Sequence, residues 1–257
     1  AAAGPPGGAR GPGGGDLPAA RGAPGTFAIC GGSSAPRAEP PRLRTPTEAV
    51  GDWASSTIDE TAAARICAAR TPADLEELRA HLALGGPVGP RPPQLGTWMV
   101  WMVHRVALND PSLVELDLST YVLPPPEEPR VGPKLASSLG ANTHLRTLLL
   151  ADCGLRGGQQ AEALAGSLLQ NRALRVLDLS CNLLGPPDLQ AIFAALGGNS
   201  ALEELRCGHQ LCPAPGRDAL AALCGALKKN FTMRKLGLEL ADPHYRDTVS
   251  RALVRTT

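Results

Sequence analysis

Residues 142–184 hold one phrase written twice, and its reading decides the fold. The first copy is Asn142-Thr-His-Leu145-Arg-Thr-Leu148-Leu-Leu150-Ala-Asp-Cys153-Gly-Leu155. The second is Asn171-Arg-Ala-Leu174-Arg-Val-Leu177-Asp-Leu179-Ser-Cys-Asn182-Leu-Leu184. Both fit L-x-x-L-x-L-x-x-(N/C)-x-L. Leucines at every second position share one face of a strand, and an all-leucine face belongs inside. The Asn or Cys that follows can bond backbone groups left open where the chain turns. One copy is too short to bury its own leucines, so copies must stack.

The phrase recurs on both sides. Upstream stands Asn109-Asp-Pro-Ser-Leu113-Val-Glu-Leu116-Asp-Leu118, with one extra residue before its first leucine. Downstream come Asn199-Ser-Ala-Leu202-Glu-Glu-Leu205-Arg-Cys207 and Asn230-Phe-Thr-Met233-Arg-Lys-Leu236-Gly-Leu238. The leading asparagines are 33, 29, 28 and 31 residues apart, a period with room for a full helix in each repeat. Helical spacing of apolar residues is read over residues 159–170, 187–196 and 217–229. The reading is α/β: a leucine-rich-repeat solenoid of about five strand–helix repeats, ribonuclease-inhibitor-like, with helical caps at both ends.

Three regions are expected. Residues 1–55 are rich in Gly, Pro and Ala and nearly devoid of large apolar side chains, so they are expected to stay disordered. Residues 56–108 should form a helical N-terminal cap, with helices at 59–69, 72–84 and 94–108. The second has a readable start: Thr71 at the N-cap, Pro72 next and Asp74 three residues after the cap. The third carries Trp98, Trp101 and Met102 on one face, placed to cover the open end of the stack against Leu116 and Leu118. Residues 109–257 hold the repeats and a closing helix. Asp242 and Pro243 start that helix, Val249, Ala252 and Leu253 form its inner face, and Arg246 and Arg255 face solvent.

Net charge is +1, which gives no global field toward nucleic acid or an acidic membrane. Locally the balance shifts. Residues 109–128 hold five acids and no bases, whereas residues 228–257 hold seven bases against three acids. The seven cysteines are odd in number and scattered, which reads as reduced thiols inside a cell. The longest apolar run, residues 98–103, falls far short of the roughly 20 residues a membrane helix needs. No membrane or nucleic-acid partner is expected.

A catalytic centre is not legible either. The five histidines are far apart, and no nucleophile elbow, His-Glu-x-x-His or paired Cys-x-x-Cys occurs. The nearest approach to a metal set is Cys207, His209 and Cys212, but Cys207 holds an inward leucine position and the spacing fits no zinc pattern. No enzyme activity, metal or cofactor is expected. What the repeats offer is surface. Strand residues alternating with the buried leucines face the concave side, where Leu149 with Val176 beside it should lie exposed, next to Asp178.

From about residue 57 to 255 the chain resembles the C-terminal half of the tropomodulin and leiomodin family. The likeness rests on Ile58-Asp-Glu and Ala-Arg70-Thr-Pro-Ala-Asp-Leu75-Glu-Glu-Leu78, on Asn109-Asp-Pro-Ser-Leu-Val-Glu-Leu-Asp-Leu118 and on Leu177-Asp-Leu-Ser-Cys-Asn182. Glu203-Glu-Leu-Arg-x-x-x-Gln210 and Asp242-Pro-His-Tyr-Arg246 complete it. The resemblance implies a cytoplasmic, cytoskeleton-associated protein that binds actin and caps or regulates filament pointed ends. With actin as partner, the candidate charge contacts to its acidic surface are the cations of the basic C-terminal end, Lys228, Lys229, Arg234, Arg246, Arg251 and Arg255. Tropomyosin, which the family binds through N-terminal helices, is not an expected partner, because residues 1–55 show no heptad helix. The alternative is a generic repeat adaptor without actin activity, recognising its partner on the concave face at Leu149, Val176 and Asp178.

Overall fold

The computed structural model describes residues 58–82, 94–210, 212 and 214–255. The expectation for residues 1–55, and the end of the second helix at residue 84, lie outside them. Three helices open the described chain: α1 (Glu60–Ala68), α2 (Pro72–Leu82) and α3 (Leu95–Ala107). Strands and helices then alternate as β1 (Glu115–Asp117), α4 (Gly132–Leu139), β2 (Thr147–Leu149), α5 (Gln159–Gln170) and β3 (Val176–Asp178). The series ends with α6 (Pro186–Leu196), β4 (Glu204–Arg206), α7 (Arg217–Leu227), β5 (Lys235–Gly237) and α8 (Pro243–Val254).

The five strands form one parallel sheet in sequence order, so each repeat adds one strand beside the last. Leu116, Leu148, Leu177, Leu205 and Leu236 are cross-strand partners in register, forming the inward row that the leucine spacing predicts. All five are buried. The helices pack on their successors from α4 to α8 and form the outer layer. One core runs from Ile66 and Trp101 at one end to Val249 and Leu253 at the other.

Two ladders of polar side chains lie within this apolar stack. In the first, Asn142, Asn171, Asn199 and Asn230 are buried at the head of their repeats. Each Oδ1 accepts from the backbone N–H groups two and three residues on, as Asn171 does from Ala173 and Leu174 at 2.8 and 2.7 Å. Each Nδ2 donates back to the preceding repeat or cap, as Asn171 does to the Leu139 and Asn142 carbonyls at 2.6 and 3.0 Å. The second ladder follows the strands. Asn182 Nδ2 donates to the Leu150 and Leu179 carbonyls, and its Oδ1 accepts from the Cys153 and Leu155 amides. Gln210 repeats the motif one strand later, and the Cys153 thiol donates to the Leu118 carbonyl at 2.9 Å one strand earlier. These groups satisfy buried backbone that a short parallel strand leaves open.

The first repeat departs from the expected phase. Asn109 leads it in the sequence, but its φ is +54° and its Oδ1 accepts from the Thr143 amide at the surface. The buried position belongs to Asp110, which accounts for the extra residue. A carboxylate cannot donate to the preceding element, so that element supplies the donor: Arg105 Nε, on α3, bonds Asp110 at 2.7 Å. Burial pushes the Asp110 carboxyl up, but Arg105 and Ser112 together hold it below the usual range. The short helix α4 is a second departure, since no helical pattern is read between the first two strands.

Helices α1, α2 and α3 lie before the first strand. Thr71 Oγ1 accepts from the Asp74 amide while Asp74 accepts from the Thr71 amide, a reciprocal capping box. Trp98, Trp101 and Met102 are buried in the same core as Leu116 and Leu118. Trp98 meets Tyr121 edge-on, and Trp101 Nε1 donates to the Leu75 carbonyl. His104 Nε2 faces the Ala69 carbonyl and so carries the proton, leaving Nδ1 as acceptor for the Lys134 ammonium on α4. Arg130 bridges Glu60 of the cap and Glu128. Among the described residues no helix is long and apolar enough to cross a membrane.

Candidate functional site

The concave face is less open than the sequence suggests. Leu149 and Val176 are half-buried rather than exposed. They are not side by side either: Leu149 is the register partner of Asp178, and Val176 is that of Thr147. Asp178 is buried and accepts from Arg206 Nη1 at 3.2 Å. Arg206 also bonds Glu204, which in turn faces Lys235 at 3.4 Å. Charges on β3, β4 and β5 therefore satisfy one another across the sheet, while Leu149 lies between Asp117 and Asp178 and Val176 lies beside Glu204.

The thiol and imidazole set does not converge. Cys207 is fully enclosed, with its thiol pushed up to about 12 by burial, so it is inert at neutral pH. His209 is exposed and faces Glu239, and Cys212 Sγ points to the Leu184 carbonyl. Among the described residues no group of three His, Cys, Asp or Glu side chains is placed to hold a metal ion.

The basic C-terminal end divides into two classes. Arg251 pairs with Asp247 one helical turn away at 2.6 Å, and Arg234 faces Glu203 at 3.6 Å. Arg246 on α8 is half-buried rather than on the solvent side. Lys228, Lys229 and Arg255 are exposed, and no carboxylate among the described residues forms an ion pair with them. The α8 N-terminus forms as read, with Asp242 accepting from the His244 amide and Pro243 opening the helix. Helix α7 stops at Leu227, earlier than the expected residue 229, which leaves Lys228 at the C-cap and Lys229 beyond it.

The sequence reading missed one residue here. Phe231 is 65% exposed. The Arg255 guanidinium lies over its ring, 4.9 Å from the centroid, and Arg255 Nη2 donates to the Leu227 carbonyl at 2.7 Å. That bond satisfies a carbonyl at the end of α7 and holds the guanidinium over the ring. Lys228, Lys229, Phe231 and Arg255 thus meet where α7 ends.

Comparison with known proteins places this geometry. A family model described as the TMOD/LMOD leucine-rich domain matches residues 97–257. Human leiomodin-3 is 30% identical over 168 residues, 65% of this chain and 29% of its own length. Mouse tropomodulin-4 is 32% identical over 125 residues, 48% of this chain and 34% of its own. The chain therefore spans about a third of the length of these relatives. The solved structure named Leiomodin-1 Actin-Binding Site 2 superposes with a TM-score of 0.55 at 28% identity, covering 60% of this chain and 86% of that one. The tropomodulin C-terminal domain of Caenorhabditis elegans gives the same TM-score at 21% identity, a likeness of fold.

Proposed function

The chain belongs to the tropomodulin/leiomodin family, and from that premise we propose that it binds actin and regulates growth at filament pointed ends. The single observation that carries the reading is the likeness to the leiomodin-1 domain named for its actin-binding site, which spans most of that domain. The chemistry supports a binding protein rather than an enzyme. The functional surface is the C-terminal end, where Lys228, Lys229 and Arg255 are exposed cations with no ion pair among the described residues. An acidic protein surface is their natural complement. Such a protein would work at the cytoskeleton.

The test is co-sedimentation with actin filaments, run beside a pyrene-actin assay of pointed-end growth. The reading expects binding at micromolar protein and slowed pointed-end growth. Binding without slowing would keep the actin assignment and remove the capping role. Neither effect would leave the adaptor reading, in which the repeats recognise another partner.

A further inference from the structure

The repeats can be laid over one another by their buried asparagines. The residue after the asparagine is Thr143, Arg172 and Ser200 in the inner repeats, and all three are exposed. In the last repeat it is Phe231. The two residues before the asparagine are Gly140-Ala141, Leu169-Gln170 and Gly197-Gly198, then Lys228-Lys229. Glycines suit two of the three inner repeats, where the next repeat packs close: a Cβ on Gly140 would stand 3.1 Å from Gln170, and one on Gly197 would stand 3.4 Å from Ala226, whereas Leu169 lies against Gly198. Among the described residues only α8 packs beyond α7, which accounts for side chains being sterically allowed there. It does not account for their being one aromatic ring and two cations.

Solvation explains exposed lysines without any partner. It does not explain a phenylalanine at a position otherwise polar, left open rather than folded under the C-terminal helix. Nor does solvation require Arg255 to be fixed on that ring by its bond to the Leu227 carbonyl. A ring with a guanidinium fixed over it is an amphipathic contact that loses little freedom on binding.

We propose that Phe231, held by Arg255 and flanked by Lys228 and Lys229, is the anchor by which this end of the solenoid grips an acidic partner surface that offers an apolar recess for one ring. Aromatic and arginine side chains dominate interface energies when a charged rim excludes water around them. This anchor rests on the actin reading above. It adds that affinity is carried by a ring, where charge alone would give an interaction that salt removes.

The experiment measures actin-filament affinity by co-sedimentation for the wild type, Phe231→Ala, Phe231→Tyr and Arg255→Ala, with melting temperature as the fold control. Phe231→Ala should weaken binding about 10-fold or more, a hot-spot loss, at unchanged melting temperature. Phe231→Tyr, which keeps the ring, should stay within about 3-fold of wild type, and Arg255→Ala should fall between. Arg255→Ala should cost less in the Phe231→Ala background than alone, because the two side chains act as a unit. Wild-type affinity in Phe231→Ala would overturn the anchor while leaving actin binding intact. Absence of binding by the wild type would overturn the actin reading and the anchor with it.

Discussion

The two ends of the solenoid solve the same problem differently. A stack of repeats exposes an apolar cross-section at each end, and each must be covered. At the N-terminal end α3 is buried along nearly its whole length, from Gly96 to Val106. Polar groups fix it on several sides: Arg105 to Asp110, His104 to the Ala69 carbonyl and Trp101 to the Leu75 carbonyl. At the C-terminal end α8 buries only Val249 and Leu253, while Val254 and Phe231 stay open. A lid sunk into the core has no surface left to offer. A lid resting on two side chains closes the stack and keeps a face for something else.

Substitutions at the two ends should separate these roles. The largest effect belongs to Trp101→Ala, which empties a large, fully buried site. It should cost about 3–5 kcal/mol of stability, read as a fall in the denaturant midpoint. Leu253→Ala removes one of the two anchors of α8 and should cost about 2 kcal/mol, the low end for a buried leucine, because its site borders solvent. A loss at Leu253 as large as that at Trp101 would mean that α8 is as integral as α3.

Acid should loosen the N-terminal end through its own groups. Desolvation holds the His104 imidazole below its usual pKa, and the Lys134 ammonium beside it acts the same way. A depressed folded pKa means that the unfolded chain takes up the proton first. The His104 contribution is therefore present above about pH 6.5 and lost as pH falls through the folded value. Asp110 and Glu128, also depressed, follow the same sign from about pH 4 downward. Thermal melts at pH 7.5 and 5.5 should show a drop that shrinks in His104→Gln. An equal drop in that variant would place the effect elsewhere. The smallest change is Arg251→Ala. Its pair with Asp247 is exposed on both sides, so stability should shift by no more than about 0.5 kcal/mol by the same melts.

The strands were legible because leucines at alternate positions have one physical meaning, and the five central ones fall in register. The asparagine ladder was legible as a phase marker. Its bonds were not, because they reach into the preceding repeat. Asp110 is not legible because Asn109 beside it matches the other repeats; a carboxylate fits the buried position only with Arg105 beside it. Helix α4 is eight residues long and follows a Pro-rich loop, too short for helical spacing to stand out. Leu149 and Val176 were judged by alternation alone, which says which face a side chain takes but not how deeply the neighbouring strands cover it. Phe231 was missed although a signal existed: aligning the four repeats by their asparagines sets it against Thr143, Arg172 and Ser200.

The central claim is that partner binding lies at the C-terminal end and not on the concave face. Its most direct test is actin co-sedimentation of two variants side by side, Lys228→Glu/Lys229→Glu and Leu149→Arg. Loss of binding in the first with wild-type binding in the second is the predicted result. Loss in Leu149→Arg, with the lysine reversal harmless, would move the site to the concave face and contradict the account.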